Sequence, residues 1–347
     1  MIQYIKDKNI NNITELSIIL HKGCNLGCSY CTQERYSDSN DEKMTLETFK
    51  KFYQDFGFKN LNKVINLELF GGEPLLNFET IKEIFDYLYN DLSEEQRKLI
   101  YVKINTNGIL INEEVIEYFK FIGKEFNLRF IISYDGLWQD QRSNPEQNKL
   151  IVDNIHKVLD NCLSKATKLS YSVYLHPEKI LKNHLWFMQN FLISENQIQY
   201  YLIREPWLWN DELFGKYKKG FTEYFKYYLV KEKQYGLIPG YIQNKIQEIN
   251  NPKNGCNMGY SRFTLMPDYN KTETLSNCGL DNEFNYDPRV NYEEIEDNCK
   301  DCEIKDHCNK LCPKKINYKN SRDLNYLCEI KKFEYNLFLK NKQDVIK

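Results

Sequence analysis

Three cysteines fall within eight residues near the start of the chain, in Cys24-Asn25-Leu26-Gly27-Cys28-Ser29-Tyr30-Cys31. Three thiolates this close can hold three corners of one cuboidal 4Fe–4S cluster, whereas ferredoxin clusters take four. With no obvious fourth Cys, one iron would stay open for a ligand. A structural zinc site is the alternative, with His21 as fourth ligand in His21-x-x-Cys24. A second group is Gly71-Gly72-Glu73-Pro74. Its glycines let backbone approach a ligand closely, and Glu73 offers a carboxylate to a cation or an amine. A third group gathers seven of the 11 cysteines: Cys256, Cys278, Cys299, Cys302, Cys308, Cys312 and Cys328. Zinc again competes there, because zinc ribbons use CxxC pairs and His307 adjoins Cys308. Seven thiols suit two closed zinc sites poorly, since those need eight ligands.

The elements that must position these groups are legible as alternation. Short apolar runs at 14–20, 64–70, 101–106, 128–134, 168–175 and 198–203 are separated by stretches of helical period. Leu46, Phe49, Phe52 and Phe56 share one helical face, as do Val115, Phe119 and Ile122. A third face carries Ile151, Ile155, Val158, Leu159 and Cys162. Six β-then-α units predict a parallel sheet with right-handed crossovers. They are too few to close an eight-stranded barrel. The expected fold is therefore α/β, a partial (β/α)6 TIM-like barrel, followed by a C-terminal Cys-rich module of metal or iron–sulfur ligands. In such folds chemistry gathers at the C-terminal ends of the strands. The Cys24 loop follows the first run and Gly71–Pro74 follows the second, so both fall on that face.

The expected organisation is a barrel over 1–205, a helical, aromatic-rich linker over 206–255, the Cys-rich module over 256–328 and a tail over 329–347. The aromatics Trp207, Trp209, Phe214, Tyr217, Phe221, Tyr224 and Phe225 read as packing, and Cys162 as a core residue. His176, Arg204 and Glu205 stand at strand ends as candidate substrate contacts. Lys plus Arg is 47 and Asp plus Glu 49. That balance supplies no basic field for nucleic acid. No apolar run nears the roughly 18 residues that span a bilayer, and the N-terminus carries no apolar signal segment. A cytoplasmic protein without nucleic-acid or membrane partners is expected, and reducing conditions favour metal or cluster ligation over disulfides.

Taken in order, these motifs resemble the radical S-adenosylmethionine (SAM) enzymes. CxxxCxxC after the first strand, with aromatic Tyr30 before its last Cys, is similar to that family's cluster loop. Gly71, Gly72, Glu73 and Pro74 resemble its site for the SAM amino group. Asn105-Thr106-Asn107-Gly108 after the third strand and Ser133-Tyr134-Asp135-Gly136 after the fourth match its pattern as well. The resemblance implies that SAM chelates the open iron through its amino and carboxylate groups. Ser133 and Arg142 would hold the carboxylate, with Tyr30 and Asn107 lining the same site. It further implies that a 5′-deoxyadenosyl radical removes hydrogen from a substrate carbon.

The spacing Cys299-x2-Cys302-x5-Cys308-x3-Cys312 resembles the SPASM module of peptide-modifying relatives, which carries two auxiliary 4Fe–4S clusters. That resemblance assigns Cys299, Cys302, Cys308 and Cys328 to an outer cluster, and Cys256, Cys278 and Cys312 to an inner one. Three 4Fe–4S clusters in all are implied. The sequence departs from the pattern in having three inner ligands where four are usual, and Gly279 where sulfatase-maturating relatives place a catalytic Asp; the nearest acid is Asp281. No acid–base residue is assigned. The expected activity is maturation of a peptide or small protein by a thioether or carbon–carbon crosslink. A flavodoxin or ferredoxin would donate electrons. About 13 residues precede the first strand, so leader recognition is expected elsewhere, in a separate leader-binding protein. The alternatives are an anaerobic sulfatase maturase or other side-chain dehydrogenase, and a non-catalytic zinc-binding interaction protein.

Overall fold

A computed structural model describes residues 8–31, 42–164, 167–174, 177–191, 198–201, 209–235, 240–250, 262–272, 301–308 and 321–341. The strands are β1 (Glu15–His21), β2 (Ile65–Gly71), β3 (Ile100–Thr106), β4 (Leu128–Ser133), β5 (Thr167–Tyr174), β6 (Ile198–Tyr201) and β7 (Arg262–Leu265). The principal helices are α1 (Leu46–Asp55), α2 (Phe78–Asp91), α3 (Glu113–Glu125), α4 (Pro145–Asn161), α5 (Ile180–Phe191), α6 (Asp211–Tyr235), α7 (Gly240–Asn250) and α8 (Ser321–Asn341). At least one helix follows each of β1 to β6, as the alternation in the sequence requires. Cys256, Cys278, Cys299, Cys312, His176, Arg204 and Glu205 lie outside the described residues.

The chain divides into two compact units. The first, residues 1–134, 139–171 and 257–285, holds the sheet in the order β5-β4-β3-β2-β1-β7. Pairing is parallel between β1 and β2, β2 and β3, β3 and β4, and β1 and β7. Along β2, Ile65, Leu67 and Leu69 are buried and Asn66, Glu68 and Phe70 half-buried. That period of two separates a face packed under helices from an inner face. On the helix side, α1 buries Phe49, Phe52 and Tyr53. Each such aromatic contributes about 1.5–3 kcal/mol on burial. Thr45 caps this helix by accepting from the Thr48 N–H. Helix α3 meets β5 closely: a Cβ on Gly123 would stand 1.9 Å from Thr167 Oγ1.

Strand β7 is a seventh strand that periodicity did not reveal. Four residues are too few for a readable pattern, and its partner β1 lies more than two hundred residues away. The motif loops are otherwise where six β-α units put them.

The second unit comprises residues 135–138, 172–256 and 286–347. It takes in the last three residues of β5, with β6 as neighbour. Tyr217, Phe221, Tyr224, Phe225 and Tyr228 of α6 are buried. Phe225 and Phe338 of α8 meet edge to face, ring centroids 4.7 Å apart, and Tyr217 Oη donates to buried Glu334 at 2.5 Å. The aromatic stretch is packing where it is described. Among the described residues no helix is long and apolar enough to cross a membrane.

Candidate active site

The Cys24 loop leaves the C-terminal end of β1 and is shaped at once by its own backbone. His21 Nδ1 accepts from the Gly23 N–H at 2.8 Å, so this atom of the imidazole is used in forming the turn. The end of β2 then docks on the same turn. Gly72 N–H donates to His21 O at 2.8 Å and Glu73 N–H to Gly23 O at 3.0 Å. Gly71 has φ +140°, and a Cβ there would stand 2.2 Å from His21 O. A Cβ on Gly72 would stand 2.3 Å from Gly23 O. Glycine is required at both positions because two backbones touch where a side chain would go.

This docking carries Glu73 into the interior, where it is 0% exposed. Its Oε1 accepts from the Leu75 N–H at 3.0 Å and from Thr106 Oγ1 at 2.8 Å. Its Oε2 accepts from the Asn107 N–H at 2.7 Å. A carboxylate has about four lone-pair directions, so one on Oε2 remains for a further donor. Burial pushes the Glu73 carboxyl up to about 7, against the opposing pull of these hydrogen bonds and of the Arg142 charge.

Asn107 ties Glu73 to the Cys loop. Its Nδ2 donates to Asn25 Oδ1 at 2.7 Å and lies 3.7 Å from Cys24 Sγ. Its Oδ1 accepts from the Ile109 N–H at 3.0 Å. The turn is held from below by Asn154 of α4, whose Nδ2 donates to Gly108 O at 2.9 Å. Gly108 itself sits at φ +85°. The Cys24 thiol is raised by burial first, and also by the nearby Glu73 and Cys28 charges, with hydrogen bonds from Leu26 and Asn107 opposing.

The far side of the loop is fixed by the segment after β4. Ser29 N–H donates to Gln141 O and Ser29 Oγ to Gln141 Oε1, both at 2.9 Å. Arg142 Nη1 donates to the hydroxyl of buried Tyr30 at 3.4 Å. Ser133 stands half-buried at the end of β4. Thus Cys24, Cys28, Tyr30, Cys31, Gly71 to Pro74, Asn107, Ser133 and Arg142 all lie on the strand-end loops of the first unit. Asn25, Thr106 and Gln141 were not anticipated as site residues. Thr106 sits with Asn107 in the Asn-Thr-Asn-Gly run and Asn25 lies between Cys24 and Cys28, which are the signals for these two; for Gln141 the sequence holds none.

The donor set fits a cluster. Cys24, Cys28 and Cys31 stand on one loop and form no disulfide among the described residues, with the Asn107 amide beside Cys24. Among the described residues no three His, Cys, Asp or Glu side chains converge tightly enough to chelate one ion. Three cysteines on one loop match the three protein ligands of a cuboidal cluster with one open iron, whose irons are separate points of attachment. Cys162 is remote from this chemistry: it is buried at the C-cap of α4, and burial pushes its thiol up to about 11.

In the second unit, Cys302 and Cys308 flank the turn Lys305–His307 and Cys328 lies on α8. The thiols of Cys302 and Cys328 both act on the charge of Lys332, so these two ligands of the expected outer cluster share one neighbourhood. His307 stacks on Tyr335, with ring centroids 5.1 Å apart, and its Nδ1 bonds Ile249 O at 3.0 Å.

Comparison with known proteins agrees with this geometry. Residues 18–176 match the Radical SAM superfamily. The chain is 28% identical over 201 residues to the radical SAM cyclopropyl synthase TigE of Paramaledivibacter caminithermalis, covering 53% of this chain and 40% of that one. The aligned stretch is less than half the length of the curated relatives it matches. In structure the chain resembles anSMEcpe with bound AdoMet, at TM-score 0.71 and 17% identity, covering 96% of this chain and 95% of that one. It also resembles Streptococcus suis SuiB bound to precursor peptide SuiA, at TM-score 0.54 and 16% identity, covering 89% and 74%. Those identities speak to the fold alone. A family that uses SAM and a 4Fe–4S cluster, a loop with three thiols, and a buried carboxylate wired to that loop lead to one conclusion: residues 18–176 of this chain form a radical SAM domain.

Proposed function

We propose that this radical SAM enzyme modifies a peptide, removing hydrogen from a substrate carbon to form a thioether or carbon–carbon crosslink. The observation that carries the reading is the Glu73–Asn107–Cys24 network at the strand ends. It joins a carboxylate able to accept from an amino group to the thiol loop able to hold a cluster with one open iron. Bound together, cluster and SAM would supply reductive one-electron cleavage and a hydrogen-abstracting radical.

The chain's own residues would do the positioning. Cys24, Cys28 and Cys31 ligate the SAM-binding cluster. Glu73 Oε2 receives the amino group, while Ser133 and Arg142 receive the carboxylate and Tyr30 holds Arg142 in line. Asn107 keeps Glu73 and the Cys loop in register. A second and third 4Fe–4S cluster on Cys256, Cys278, Cys299, Cys302, Cys308, Cys312 and Cys328 would accept the electron left when the substrate is oxidised. The fold it shares with SuiB, which binds a precursor peptide, supports a peptide substrate. A flavodoxin or ferredoxin and a leader-binding protein complete the proposed partners.

Anaerobic purification with iron analysis tests the cofactors, with about 12 irons per chain expected for three clusters. Incubation with SAM, dithionite and peptides encoded beside this gene tests the reaction. A peptide lighter by two hydrogens, with a new crosslink in its fragmentation pattern, is the expected product. Oxidation of a Cys or Ser in a sulfatase peptide to an aldehyde would instead establish a maturase.

A further inference from the structure

The mechanism leaves unused a polar layer on the inner face of the sheet. Register places Thr264 of β7 beside Ser17 of β1, Ser17 beside Glu68 of β2, Glu68 beside Lys103 of β3, and Lys103 beside Arg129 of β4. Neighbours in a parallel register project to the same face. Glu68 is three residues before Gly71, roughly 10 Å down the strand from the SAM end.

Two features of this layer point to a ligand. Glu68 is held by neutral donors only: Ser17 Oγ donates to its Oε2 at 2.7 Å and Asn105 Nδ2 to its Oε1 at 2.6 Å. Lys103, the cation next to it, leans away to Glu15 Oε1 at 3.5 Å. Among the described residues Glu68 makes no ion pair. Each of its oxygens keeps a lone pair. Beyond Ser17, Thr264 is completely buried, and its Oγ1 has no hydrogen-bond partner among the described residues. An unsatisfied buried hydroxyl is costly and calls for an explanation. A half-buried carboxylate without a cation and a buried hydroxyl without a partner, on one face and one level, offer several acceptors to a group carrying several N–H donors.

We infer that Glu68 and Thr264 together bind a basic side chain, lysine or arginine, of the peptide substrate, and so fix which residue is presented to the SAM end of the barrel. The inference rests on the peptide-modifying reading above. The alternative role of Glu68 is a cross-strand pin between β1 and β3. A glutamine would keep that pin and lose the charge, which separates the two roles.

The test uses the anaerobically purified, cluster-loaded enzyme with SAM, immobilised and offered pools of random nonapeptides. Each pool has its central residue fixed as Lys, Arg, Gln, Leu or Glu. Wild type is expected to retain the Lys and Arg pools about tenfold or more over the Glu pool, the ratio a charge-assisted hydrogen bond gives. Glu68→Gln should abolish that ratio, and Glu68→Lys should reverse it toward the Glu pool. Thr264→Val should reduce it severalfold. Uncoupled 5′-deoxyadenosine formation with dithionite should stay within about twofold in all variants, which reports that fold and SAM site are intact. A basic preference that survives Glu68→Gln, or peptide retention without charge preference in wild type, overturns the inference while leaving the peptide reading in place. No pool retained by wild type overturns the peptide reading, and the inference falls with it.

Discussion

The backbone N–H of Asn107 donates to Oε2 of Glu73 at 2.7 Å, and the side chain of the same Asn107 reaches Asn25 and Cys24. One residue at the end of β3 therefore sets the distance between the carboxylate after β2 and the thiol loop after β1. Three strand ends are locked by backbone and amide groups, which reorganise little when a ligand arrives.

Glu73→Gln is expected to weaken SAM binding without loss of the cluster. A charge-assisted hydrogen bond is worth about 1.5–3 kcal/mol, which is about ten- to hundredfold in affinity. Because burial holds the Glu73 carboxyl near 7, its ionised fraction falls as pH drops below that value. SAM affinity of the wild type should accordingly fall toward about tenfold per pH unit below 7. Equilibrium dialysis between pH 6 and 8 checks both points, and the Gln variant should show no such slope. A dissociation constant unchanged within about twofold in Glu73→Gln removes the carboxylate from SAM binding.

Gly72→Ala should lose SAM cleavage by at least about tenfold. Its Cβ would meet Gly23 O and Lys22 O at 2.3 and 2.5 Å, so two loops must separate; forcing atoms into such a contact costs about 1–3 kcal/mol. Gly27→Ala is the internal control, because among the described residues nothing lies within 4 Å of a Cβ there. Equal activity of the two variants would show that the β2 docking does not shape the Cys loop.

Gly123→Ala should destabilise the barrel by about 1–3 kcal/mol in urea titration, since its Cβ would overlap Thr167 Oγ1. Combining it with Thr167→Ala should recover a large part of the loss. SAM binding in the folded fraction should not change. Independent, additive losses in the double variant would refute the steric account.

Cys28→Ala should abolish SAM cleavage, because it leaves only two thiolates for a cluster that needs three. Production of 5′-deoxyadenosine by this variant at the wild-type rate, with dithionite as reductant, would rule out the loop as the site of chemistry. Iron content measured on the same sample distinguishes a lost cluster from an inactive one.

What the sequence determined by itself was the local and periodic part. Six β-α alternations announced the sheet, since burial on a pleated or helical face leaves a period in the residues. The spacing of Cys24, Cys28 and Cys31 marked the loop, because three thiols within eight residues must come near one another whatever the rest of the chain does. Gly71 and Gly72 announced a close approach, because a missing Cβ is visible in the sequence, although the surface approached is not. The tertiary structure decided what approaches them: the backbone of His21 and Gly23, some fifty residues earlier. It also decided that Ser29 meets Gln141, 112 residues away, that Asn107 faces Cys24, and that four residues of β7 pair with β1 to bring Thr264 beside Ser17. Such contacts join groups whose separation along the chain carries no periodicity, and a single hydrogen bond leaves no pattern in one sequence. Chain folding alone sets them.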